Sequence, residues 1–305
     1  MKTGTVFKST GSHYKVVDDD AVEHTCIVRG KLRLHGWKST NPIAVGDKVD
    51  FSLEGEFGII SHIHERKNHL IRKATNASKQ THVIAANIDQ ALLIVTLFQP
   101  KISEGFIDRF LVSCEAYDIP VKIIFNKSDL ITGGLVSILE ELMEMYEHIG
   151  YECYVTSTFD RTGIDELDLQ LEGKTSLFSG FSGVGKSSLI NTIVPNIEQK
   201  TAEISNFSQK GKHTTTFAEM FEIRKNTYLI DTPGIKELGV VAIEGSEISH
   251  FFPEMRAVLG NCKFNTCTHR HEPQCAVIEA VESGLISASR YHSYLSIFDN
   301  EDTFR

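Results

Sequence analysis

The chain has 305 residues, 41% of them hydrophobic and 23% charged, which suits two or three globular domains and excludes a disordered or low-complexity protein. The formal charge of -9 excludes a coat of basic residues but leaves room for a local basic patch. No apolar run approaches a membrane span and the opening MKTGTVFKST lacks a signal-peptide core, so a cytoplasmic protein without membrane contact is expected.

Residues 1–72 are predicted to form an N-terminal β-barrel. Tyr14–Val17, Thr25–Val28, Lys48–Phe51 and Gly58–Ile63 are short apolar runs separated by Gly, Asn-Pro and Asp turns. An OB-fold fits this length and an SH3-like barrel competes with it. Arg29, Lys31, Arg33, His35 and Trp37 fall on alternate positions and so would share one face of a strand. Cations beside an aromatic suit phosphate contact and base stacking, which makes Arg29, Lys31, Arg33 and Trp37 candidate RNA-binding residues. A solvated strand face is the plain alternative.

From 73 to 238 the pattern is strand alternating with helix, an α/β domain with a mostly parallel sheet. Ala91–Leu97, Val121–Phe125, Tyr151–Val155, Thr175–Phe178 and Tyr228–Ile230 are continuous apolar runs, as strands covered on both faces require. Two helical stripes lie between them: Phe106, Ile107, Phe110, Leu111 and Cys114, then Leu135, Ile138, Leu139, Leu142 and Tyr146.

The strand ends carry the chemistry. Asn126-Lys127-Ser128-Asp129 follows the second run, and the carboxylate of Asp129 can accept two hydrogen bonds from N1–H and N2–H₂ of guanine, a pair adenine does not offer. Thr156-Ser157 ends the next run and could close over the base through backbone N–H groups. Gly180 to Ser187 reads GFSGVGKS, a complete G-x-x-x-x-G-K-[ST] phosphate loop between a strand and a helical pattern. Gly180, Phe181, Ser182, Gly183, Val184, Gly185 and Ser188 are its expected backbone contacts. Lys186 would reach the β/γ oxygens as a catalytic cation, and Ser187 would ligate Mg²⁺. Thr215 or Thr216, in the loop KGKHTTT, is expected to complete the Mg²⁺ shell in the GTP state as a first switch. Asp231 and Gly234 of D-T-P-G are placed for Mg²⁺ and for the γ-phosphate.

The base-reading motif precedes the phosphate loop, which inverts the usual order and marks a circularly permuted P-loop GTPase. Ile235 stands where many GTPases carry a water-orienting Gln, and Ile cannot orient water. His213 is the nearest candidate for that role, a solvated loop histidine the alternative. Slow intrinsic turnover that a partner stimulates is expected.

Residues 239–305 form the third expected unit, a helical zinc-binding domain. Cys262, Cys267, His269 and Cys275 match a closed, structural Cys₃His zinc site, with His271 a spare ligand.

These motifs, with RGKLR at Arg29–Arg33 and NPIAVGD at Asn41–Asp47, resemble over the whole length the bacterial ribosome small-subunit-dependent GTPase A family (RsgA, also called YjeQ). The resemblance implies a GTPase using GTP/GDP with Mg²⁺ and one structural Zn²⁺, acting late in small-subunit maturation. It implies rRNA contact and hydrolysis stimulated by the small ribosomal subunit; a monomer is expected, and because the second switch runs on into the zinc unit, hydrolysis is expected to favour release. It also implies that an apolar residue at Ile235 is normal. Two departures are Lys212, where the family usually has Arg, and Thr156-Ser157 in place of a Ser-Ala pair, which implies looser base contacts. An rRNA-binding scaffold with incidental turnover is the rival reading.

Overall fold

Alternation of buried and half-buried residues in Tyr14–Asp18 shows why the N-terminal strands curl round a core: one face carries the apolar side chains and must be covered. The computed structural model describes residues 1–28, 43–73, 81–194, 218–231 and 245–299. In it β1 (Lys2–Ser9), β2 (Tyr14–Asp18), β3 (Glu23–Val28), β4 (Lys48–Glu54) and β5 (Phe57–Ile63) close on themselves in the order 1-2-3-5-4-1. The β3–β5 pairing is parallel and the others are antiparallel. That order is the OB arrangement and settles the choice against an SH3-like barrel. Val6, Val16, Cys26, Val49, Phe51 and Ile60 fill the interior.

The NPIAVGD run has a mechanical role within its described part. Buried Asp47 accepts the Ala44 N–H at 2.8 Å and takes a two-pronged bond from Arg66, 2.7 Å on each oxygen. Gly46 (φ +89°) lies so close to the Ala86 carbonyl that a Cβ would sit 2.1 Å from its oxygen. The barrel is thereby seated on the hairpin of β6 (His69–Lys73) and β7 (Thr81–Ala86), which leads into the α/β unit.

The α/β sheet runs β10-β9-β8-β11-β13-β12, from β8 (Gln90–Val95), β9 (Val121–Asn126), β10 (Glu152–Thr156), β11 (Thr175–Ser179), β12 (Glu219–Arg224) and β13 (Thr227–Asp231). All neighbours are parallel except the β12–β13 pair, and a Lys8–Glu219 register joins β12 to β1 of the barrel. Strands β8 and β9 are buried along their whole length, as their unbroken apolar runs predict. Helices α1 (Glu104–Glu115), α2 (Gly134–His148), α3 (Ile164–Leu171) and α4 (Lys186–Ile193) connect the parallel strands. The stripe expected on α1 is buried, from Phe106 through Cys114. The stripe on α2 is not: only Tyr146 is fully buried there, and Ile138 is 46% exposed.

A 3₁₀ turn at Gly245–Phe251 opens the C-terminal unit, followed by α5 (Pro253–Arg256), α6 (Ala276–Glu282) and α7 (Ala288–Phe298). Its core reaches into the α/β unit through Val112 of α1. Beside this contact lies a buried charge cluster. The Arg290 guanidinium donates to Asp108 at 2.7 Å and to both oxygens of Glu254 at 2.8 and 3.1 Å, and Tyr146 donates to Asp108 at 2.9 Å. Burial raises the Asp108 carboxyl despite the attraction of Arg290. Burial also opposes charge on Arg290, but Asp108 and Glu254 overcome it and raise the guanidinium further.

An arginine 1% exposed cannot lose its partners cheaply. Arg290→Ala strands the Asp108 carboxylate and should destabilise the protein by about 3–5 kcal/mol, whereas Asp108→Asn with Arg290→Gln should lose distinctly less. Urea unfolding of the variants checks this; equal losses would show that packing, not charge, governs the contact.

Candidate nucleotide and metal sites

Parallel strands deliver their carboxyl ends to one edge of the sheet, which is where open α/β folds bind ligands. β9 ends in Asn126-Lys127-Ser128-Asp129, β10 in Thr156-Ser157, β11 in Gly180–Ser188 and β13 in Asp231. Order along the chain is irrelevant to this convergence.

Asn126 joins three of these ends. Its buried side-chain amide donates to the Val184 carbonyl of the phosphate loop at 2.8 Å and accepts from the Thr156 hydroxyl at 3.0 Å. Gly185 must be glycine for two reasons: its φ is +95°, and a Cβ would lie 2.5 Å from the Asn126 amide nitrogen. Lys127, itself at φ +62°, reaches across to the Gln99 carbonyl at 2.5 Å.

Ser157 acts through its side chain as well as its place on the loop. Its hydroxyl donates to Asp129 Oδ1 at 2.7 Å and receives the Phe159 N–H at 3.1 Å. Asp129 is exposed and Ser157 fully buried, so a rigid group steers a free one. Each hydroxyl of Thr156-Ser157 thus holds a residue of the N-K-x-D motif in place.

In the phosphate loop Lys186 donates to the carbonyls of Gly180 and Phe181 at 2.6 and 2.8 Å. Burial lowers its pKa, and the charge of Asp231 works the other way. A nucleotide phosphate arriving here would meet a partly desolvated cation at the start of α4, where unpaired backbone N–H groups also favour anions. Phe181 packs on Phe106 of α1, ring centroids 4.3 Å apart, a support that the motif alone did not reveal. Ser187, in the first turn of α4, and Asp231, at the end of β13, are hard oxygen donors that suit Mg²⁺ carried in with the nucleotide. His213, Thr215, Thr216 and Gly234 lie outside the described residues, as do Arg29, Lys31, Arg33 and Trp37.

The metal centre gathers Cys262, Cys267, His269 and Cys275, whose donor atoms all lie within 4.8 Å of one another. His269 Nδ1 stands 3.6 Å from Cys262 Sγ and 3.4 Å from Cys275 Sγ. Those separations match the edges of a tetrahedron with metal–sulfur bonds of about 2.3 Å. His271 is exposed and outside the cluster, so His269 is the imidazole donor. Burial pushes the Cys267 thiol up to about 12, raises Cys275 and lowers the His269 imidazole. Four such donors fit one zinc ion, which would replace the thiol protons and cross-link the loop.

Sequence reasoning missed the residues that shape this loop. The Glu272 carboxylate accepts the backbone N–H groups of Thr268 and Arg270 at 2.7 and 2.9 Å. Tyr294 and Tyr291 donate to the carbonyls of Thr268 and His269 at 2.7 and 2.6 Å. The only signal in the sequence was a Glu three residues after the histidine.

Two outcomes follow from this geometry. Ser157→Ala frees Asp129 and should weaken guanine-nucleotide binding about tenfold, the equivalent of one hydrogen bond to a charged group, as measured by fluorescent-GDP titration. Glu272→Ala should speed zinc loss to a chromogenic chelator by about 10- to 100-fold while the Cys₃His donor set stays intact; an unchanged release rate would show that the loop holds its shape without the carboxylate.

Comparison with known proteins agrees with this construction. The family model described as RsgA GTPase matches residues 63–241, and the RsgA N-terminal domain matches residues 3–60. A Bacteroides thetaiotaomicron protein named small ribosomal subunit biogenesis GTPase RsgA 2 is 51% identical over 300 residues, covering 98% of this chain and 97% of its own. A Flavobacterium johnsoniae protein named small ribosomal subunit biogenesis GTPase RsgA is 48% identical over 304 residues, covering 98% and 94%. Among solved structures, YjeQ from Thermotoga maritima superposes with a TM-score of 0.78 at 34% identity, covering 100% of this chain and 99% of its own. YloQ, described as a circularly permuted GTPase, gives 0.72 at 30% identity, covering 98% and 94%. With its base-reading motif ahead of its phosphate loop and relatives matched from end to end, the chain belongs to the RsgA GTPase family.

Proposed function

We propose that this protein is a cytoplasmic, monomeric GTPase that acts in late maturation of the small ribosomal subunit. The subunit stimulates hydrolysis, and hydrolysis promotes release. The observation that carries this reading is the extent of the likeness: relatives named for small-subunit biogenesis match across 98% of the chain, including a barrel and a Cys₃His unit that nucleotide hydrolysis alone does not require.

The chemistry divides among the three units, taken as residues 1–72, 73–238 and 239–305. Asp129 reads guanine, held by Ser157; Asn126 braces the phosphate loop and Lys127 lies beside the nucleotide; Lys186 stabilises charge developing on the β/γ oxygens; Ser187 and Asp231 hold Mg²⁺ with Thr215 or Thr216. Magnesium supplies charge neutralisation at the phosphates when bound. Zinc at Cys262, Cys267, His269 and Cys275 has no open position and serves structure. Arg29, Lys31, Arg33 and Trp37 of the N-terminal unit meet rRNA. His213 orients the attacking water, a role Ile235 cannot take.

Residues 232–244 join Asp231 to the turn at Gly245–Phe251, so the second-switch sequence is followed along the chain by the C-terminal unit. Affinity for the subunit should therefore differ between the GTP and GDP states.

The measurement is steady-state GTP hydrolysis by the pure protein, alone and with purified small or large subunits. The expected result is a rise of at least tenfold with small subunits only, lost in His213→Ala without loss of GTP binding. Tight, nucleotide-dependent subunit binding without stimulation would favour the scaffold reading instead.

A further inference from the structure

The apolar residues of α2 pack on the core only in part: Leu139, Leu142, Met145 and Ile149 are half-buried against it, while Ile138 stays exposed beside a cleft. Ile138, Leu142, Met145 and Ile149 recur at spacings of four, three and four, so they line one side of the helix and its end. Together they form one wall of a cleft of about 600 Å³ between α2 and the C-terminal unit, with Leu285 on the opposite side. Ile138 and Leu285 are 46% and 58% exposed, too much for residues whose only task is to pack.

Charge narrows what this cleft can accept. Glu104, Glu141 and Glu144 lie on it, and among the described residues none of them has an ion pair. Helix α2 contains no Lys or Arg at all. Arg290, the cation at the cleft, is buried and already held by Asp108 and Glu254. A polyanion would be repelled from such a surface. A peptide bearing Lys and Arg would lay its aliphatic stems on the apolar seam and bring its charged ends to the glutamates.

We propose that this cleft docks a basic, aliphatic-bearing protein segment of the small subunit, and not rRNA. The inference rests on the subunit reading above. A protein built into an RNA particle must carry cations to neutralise phosphate, so the partner chemistry that the cleft requires is abundant there. The division of labour is electrostatic: the basic residues between Arg29 and Trp37 take RNA, and α2 takes protein while holding RNA off.

The test uses the full-length, zinc-loaded protein with a photoreactive benzoyl-phenylalanine in place of Ile138, bound to purified small subunits with a non-hydrolysable GTP analogue. The expected adduct lies in a Lys/Arg-rich segment of a subunit protein, identified by mass spectrometry after nuclease and protease digestion. A second variant, Glu141→Lys with Glu144→Lys, should bind subunits at least tenfold more weakly at low salt, with the deficit shrinking as salt rises and intrinsic GTP hydrolysis unchanged. Co-sedimentation of the unaltered protein separates the two possible failures. Without it, the subunit reading falls and the docking proposal with it. With it, an adduct to rRNA, to a second copy of this chain or to nothing overturns the docking proposal alone, as does undiminished binding by the charge-reversed variant.

Discussion

The buried amide of Asn126 ties together pieces of a site that the chain supplies out of order. Through it the base-reading end of β9, the Thr156 end of β10 and the Val184 carbonyl of the phosphate loop share one set of hydrogen bonds. Buried polar groups that are fully partnered fix geometry tightly, because each alternative leaves an unpaired donor in a low dielectric. The glycine at 185 is the cost of that closeness, since the amide occupies the space a Cβ would take. Circular permutation can leave nucleotide binding intact because the site depends on strand ends meeting at one edge, not on the path between them.

The same permutation places the D-T-P-G sequence ahead of the C-terminal unit in the chain. Helix α1 begins near the phosphate loop, where Phe106 meets Phe181, and farther along carries Asp108 into the Arg290 cluster and Val112 into the C-terminal core. The C-terminal unit is thus anchored to the α/β unit by a desolvated ion pair and an apolar contact, while segment 232–244 connects it to Asp231. The first attachment is a packed, desolvated contact, and the second continues in sequence from the Asp231 end of the site. A difference between nucleotide states would then appear as strain between the two attachments, a physical basis for coupling hydrolysis to release.

Much of this was legible before any coordinates. Unbroken apolar runs announced β8, β9 and β11, because a strand covered by helices on both faces has no polar side to show. The phosphate loop, N-K-x-D and the Cys₃His spacing are chemical requirements written locally, so they survive rearrangement of the chain. Strands β1, β6, β7 and β12 were not read as strands. β1 and β12 mix charged and apolar residues (KTGTVFKS and EMFEIR), and β1 pairs with β4 and β12, both distant from it in sequence.

The sequence by itself determined the nucleotide, the metal donor set and the domain order, because residue type and short-range spacing decide each of them. Only the tertiary structure decided that the barrel is an OB-fold, through a parallel β3–β5 pairing that no local pattern encodes. It also decided that Ser157 aims Asp129, that Glu272 shapes the metal loop, and that Ile138 of the α2 stripe stays exposed beside a cleft while Leu139, Leu142 and Tyr146 join the core. Periodicity can state that a helix has an apolar face. Whether another part of the same chain covers it depends on contacts between segments far apart in sequence, and those exist only in the folded molecule.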